Sequence, residues 1–89
     1  MPYIPPQDRY RFNLSLQLLS DEIVARGLSN GDLNYLYTKL ALMYLDRNGE
    51  SYNTLSDVVK AFECAKLEFY RRYVAPYEDR KIMENGYVI

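Results

Sequence analysis

The 89-residue chain has no histidine, no tryptophan and a single cysteine, Cys64. Without histidine there is no imidazole acid–base catalysis and no Cys–His nucleophile, and the usual zinc constellations are excluded within one chain. One thiol cannot close an intrachain disulfide, which points to a reducing compartment. Charge of one sign is also missing: 11 Lys and Arg against 12 Asp and Glu give a net charge of −1. The basic footprint that duplex nucleic acid demands is therefore lacking. No apolar run approaches the ~18 residues of a membrane span, and the first residues do not read as a signal peptide. Single glycines at Gly31 and Gly49 provide no phosphate-cradling loop. The expectation is one cytoplasmic domain with no metal and no cofactor, since 10.5 kDa leaves no room for two independent cores.

Tyrosine is abundant instead, at 10 residues. Its ring is rigid and apolar and its hydroxyl requires a partner, a combination enriched at interfaces.

Punctuation predicts an all-α fold: a small up-down bundle of three helices plus a short C-terminal helix after a proline kink. Residues 1–12 form an extended or turn-like arm around Pro5 and Pro6. A helix over 13–27 carries Leu16, Leu19 and Ile23 at helical spacing, with Asn13 as cap and Gly27 as stop. A second helix over 30–47 follows Ser29, which pairs with Asp32 in a capping-box arrangement. Leu33, Leu36, Tyr37, Leu40, Ala41, Tyr44 and Leu45 make its wide apolar stripe, and Asn48-Gly49 ends it. A third helix over 54–75 begins at Thr54 and turns Leu55, Val58, Val59, Phe62, Ala65 and Phe69 inward. Pro76 should kink or break it, opening a helix over 76–85 and leaving 86–89 as a tail. No period-two alternation marks a strand.

The densest polar constellation lies on the last two helices. Glu63, Lys66, Tyr70, Tyr73 and Tyr77 share one stripe if the kink is modest, and Arg71 flanks it. Arginine forks beside tyrosine rings suit a planar anion. The same residues also suit an ordinary solvated face, since ion pairs three and four residues apart stabilise by only ~0.2–0.5 kcal/mol each. Cys64 reads as an inert thiol, because nothing nearby would activate it. Adjacent carboxylates such as Glu78-Asp79 point in different directions and make poor catalytic dyads.

Several blocks resemble a family of short, uncharacterised prokaryotic and phage proteins of unknown function. They are Met1-Pro2-Tyr3-Ile4, the Gly31-Asp32-Leu33-Asn34-Tyr35 segment, the run from Glu63-Cys64-Ala65-Lys66 to Arg72, and Ala75-Pro76-Tyr77-Glu78-Asp79. The resemblance implies a single, mostly helical domain and brings no catalytic residue. It ends before the C-terminus, where the family's common Gly-Asp-Val-Tyr is replaced by Gly86-Tyr87-Val88-Ile89.

These readings converge on a non-enzymatic helical protein that self-associates, as a dimer in the first instance, and presents a Tyr/Arg/Glu surface to a partner. The surface comprises Glu63, Lys66, Tyr70, Arg71, Tyr73 and Tyr77. The alternative is a small-molecule binder that sequesters a nucleotide-like anion on the same residues.

Overall fold

Two helix starts are built from serine hydroxyls. In the computed structural model, which describes residues 2–89, Ser29 accepts a bond from the Asp32 backbone N–H at 3.0 Å. The Asp32 carboxylate accepts from the Ser29 backbone N–H at 2.9 Å, so the capping box is complete despite the short acid. This geometry holds the Asp32 carboxyl below its ordinary value, through the Ser29 backbone bond first and its hydroxyl second. Ser51 does the same work one helix later, accepting from the Thr54 N–H at 3.1 Å. The third long helix therefore starts at Tyr52, two residues before the Thr54 start expected from sequence. Thr54 itself is the buried residue of that turn, with 7% of its surface exposed and its hydroxyl 3.0 Å from that of Ser51.

The fold is all-α. Helix α1 covers Pro6–Arg9, α2 Asn13–Arg26, α3 Asn30–Asn48, α4 Tyr52–Phe69 and α5 Ala75–Asn85. A 3-10 turn over Tyr10–Phe12 joins α1 to α2, so Asn13 continues a helical path and makes no side-chain cap. Met1, part of the expected arm, lies outside the described residues. α2 stops where Gly27 takes φ +78° and its N–H bonds the Ile23 carbonyl. Gly49 stops α3 in the same way at φ +81°, a region that costs a side-chain-bearing residue roughly 1 kcal/mol or more.

The proline expectation is met by an unexpected device. Between α4 and α5, Tyr70–Val74 widen into a π-helical turn in which the Ala75 N–H reaches the Tyr70 carbonyl, five residues back. Pro76 has no N–H and its ring would clash with the carbonyl four residues earlier. The wide turn absorbs one extra residue at that point, and the helical path continues without a break.

α3 and α4 pack antiparallel. Tyr37 meets Phe62 with ring centroids 6.3 Å apart, and the Tyr44 hydroxyl donates to Asp57 Oδ2 at 3.1 Å. As the α3 number rises the α4 number falls, which is the antiparallel register. Tyr3 ties the N-terminal arm to the far end of α4 by donating to Glu68 Oε1 at 2.9 Å. Among the described residues, substantial packing of one long helix on another is confined to α3 on α4.

The consequence is an open molecule. No hydrophobic side chain is buried among the described residues. The radius of gyration is 16.9 Å, where a compact chain of this length has roughly 12 Å. The accessible surface is 8211 Å², where a folded monomer of this mass exposes roughly 5,400 Å².

Candidate functional site

The α3–α4 pair leaves a long apolar groove of about 850 Å³ along one side. Tyr37, Leu40, Ala41 and Tyr44 line it from α3. From α4 come Val58, Ala61, Phe62, Ala65 and Phe69, and the π turn adds Tyr70 and Val74. These positions recur at three and four residues, which puts them on one face of each helix. Ala61 and Ala65 are small, so the middle of the α4 wall is shallow enough for another backbone to approach. Two charged side chains border the groove, Asp57 near the start of α4 and Lys66 near its end.

The π turn decides what becomes of the expected strip. An inserted residue rotates everything after it by about 100° relative to the turns before. Lys66 and Tyr70 border the groove, whereas Arg71, Tyr73 and Tyr77 do not, and Glu63, which precedes the turn, already lies outside it on α4. Glu63 lines a shallower depression with Tyr52, Leu55 and Val59. It remains within 3.4 Å of the Lys66 ammonium. Tyr73 stacks on Phe69 with centroids 5.3 Å apart. Tyr77 lies beneath Arg80 and Lys81, each near 5.5 Å from its ring centre. The hydroxyl of Tyr70 spans the wide turn to donate to Glu78 Oε1 at 2.8 Å. That bond, together with the Glu78 charge, raises the Tyr70 phenol above its ordinary value.

The sequence reading passed over the carboxylate that organises this end of the molecule. Glu68 has a side chain only 13% exposed and gathers three donors. Arg72 Nε reaches its Oε1 at 2.7 Å, the Tyr3 hydroxyl reaches the same oxygen, and Arg71 reaches Oε2 at 3.4 Å. The Arg72 bond first, then that of Tyr3, holds the Glu68 carboxyl below its ordinary range. The spacing of Glu68 and Arg72 was visible as an i,i+4 pair. Tyr3, 65 positions away, left no local signal.

The basic groups near the strip thus face acids: Lys66 with Glu63, Arg71 and Arg72 with Glu68, Lys81 with Glu84. Among the described residues no group of three or more Cys, Asp or Glu side chains converges as a metal site would require. No helix among the described residues is long and apolar enough to cross a membrane. Cys64 is half-buried beside the shallower depression.

Fold and groove together define an all-α chain whose central helix pair is open along one apolar side. Over residues 1–88 the sequence matches the family described as Domain of unknown function (DUF6899), and the chain belongs to that family. No curated protein and no solved structure matches it.

Proposed function

We propose that this chain acts as a self-associating, non-enzymatic helical protein, a dimer in its simplest form, whose Tyr/Arg/Glu surface meets a partner. One observation carries the reading: the surplus of accessible surface. A chain of this mass exposes about 2,800 Å² more than a compact monomer would. Obligate assemblies bury on the order of 1,000–2,500 Å² per subunit, so association is a sufficient sink for that surplus. Two-fold pairing is the commonest way to supply it. Tyr73 and Tyr77, whose rings are exposed and backed by Phe69 and by Arg80 and Lys81, stay available to a further partner outside the groove.

The anion-binding alternative has less support. Its cations stand beside carboxylates, and the concave surface offers hydrocarbon rather than converging donors. A cytoplasmic setting belongs to the same proposal, supported by the one unpaired thiol.

Light scattering at low micromolar concentration tests the proposal. A mass of twice 10.5 kDa, or a higher multiple, is expected. A single-chain mass accompanied by cooperative unfolding overturns it.

A further inference from the structure

We infer that the groove between α3 and α4 is filled by α2 of a second copy, so that two chains exchange their α2 helices reciprocally. The inference rests on the self-association proposed above and says which element makes the interface.

α2 is the helix that leaves one apolar side without a seat, although Ile23 on its other side is half-buried and Leu19 37% exposed. Leu16, Leu19 and Ile23 fall on one face, while Leu14, Leu18 and Ala25 fall on the opposite one, given 100° per residue. A helix apolar on two opposite faces is one that is covered on both sides. Yet Leu14 is 73% exposed and Leu18 61%, and substantial helix–helix packing involves α3 and α4 instead. The groove has the converse deficit, with two walls and no third helix. Lengths agree: 14 residues of α2 span about 21 Å, and the groove runs along α4 from Asp57 to Phe69, about 18 Å.

Charge sets the direction. Arg11, whose guanidinium sits 4.5 Å from the Phe12 ring centre, precedes α2, and Asp21 lies ten residues on, about 15 Å along the axis. On the α4 wall the order is reversed in sign, Asp57 and then Lys66, about 13.5 Å apart. An α2 lying parallel to the partner's α4 therefore places Arg11 by Asp57 and Asp21 by Lys66. Leu18 then comes level with residues 63–64, within about 3 Å along the axis of Ala65, where the wall is shallow. Asp57 already accepts from Tyr44, Lys66 already faces Glu63, and Asp21 accepts from Gln17 at 2.8 Å. The intermolecular pairs thus fix register more than affinity.

Two experiments on the full chain test this. In a Cys64→Ser background, Leu18→Cys and Ala65→Cys chains are refolded together and oxidised. A disulfide joining one chain of each kind should dominate, at least about fivefold over Ala65→Cys chains joined to each other. A dominant Ala65→Cys homodisulfide, or a dimer that forms no disulfide, overturns the exchange while leaving self-association standing. A single-chain mass for the parent protein overturns both. The second experiment leaves the apolar surfaces intact. Lys66→Glu should raise the dimer dissociation constant about threefold to tenfold, and adding Asp21→Lys should restore it. Failure of that rescue overturns the placement.

Discussion

The α3–α4 pair and the α2 arm are helices of similar kind in very different circumstances. The pair starts from serine caps, stops α3 at a glycine, and carries a cross-contact of its own at Tyr37–Phe62 and another at Tyr44–Asp57. α2 starts without a side-chain cap, has apolar residues on opposite faces, and is preceded by an arm held through the Tyr3–Glu68 bond. The difference teaches that helix formation and helix placement have separate causes here. Local bonds define where each helix begins and ends, while only burial against another helix can fix where it lies.

The comparison breaks most severely at Phe62, which serves both the pair and the groove. Phe62→Ala should cost about 2–3 kcal/mol in urea unfolding, since ring and groove wall are lost together. Leu19→Ala on α2 should cost less than half of that in a monomeric sample.

Capping gives the next effect. Ser51→Ala removes the acceptor for the Thr54 N–H and should lower stability by about 1 kcal/mol. Asn13→Ala at the start of α2 should change the midpoint by no more than roughly 0.3 kcal/mol, because no capping bond is lost. Equal losses at the two positions would erase the distinction between the regions.

The smallest effects are pH dependences of opposite sign. Glu68 titrates below its ordinary value in the folded chain, so its contribution is complete above the unfolded value of about 4.3 and is lost as pH falls through the folded one. Tyr44 is raised by its bond to Asp57 and by that charge. Its contribution is complete below the unfolded value of about 10 and is lost as pH rises through the folded one. Glu68→Gln should make the acid limb of a thermal-melt profile shallower, leaving the share of Asp32, and Tyr44→Phe the alkaline limb, leaving the share of Tyr70, each without effect on the other limb. Loss of both limbs in either variant would show the two ends to be coupled.

Much of this was legible beforehand for definite reasons. Ser29, Asp32, Gly27 and Gly49 act through bonds within four residues, so their pattern is readable in the chain. The apolar spacing of Leu40, Tyr44, Val58, Phe62 and Phe69 named the two walls of the groove before any coordinate. Of the strip from Glu63 to Tyr77, the groove takes up Lys66 and Tyr70 alone. Pro76 signalled a disturbance, but whether the chain breaks, bends or widens there depends on how the carbonyl of Arg72 is relieved.

Composition and punctuation alone therefore determined an all-α chain, the cap at Ser29, the stops at Gly27 and Gly49, and the absence of histidine chemistry and of a disulfide within one chain, because each follows from residue type or from neighbours within one turn. Only the tertiary structure decided that α3 and α4 pair while one apolar side of α2 stays open, that a π turn brings Glu78 to Tyr70, and that Tyr3 closes on Glu68. Those outcomes balance burial and hydrogen bonding between groups far apart in the chain, and no local pattern records them.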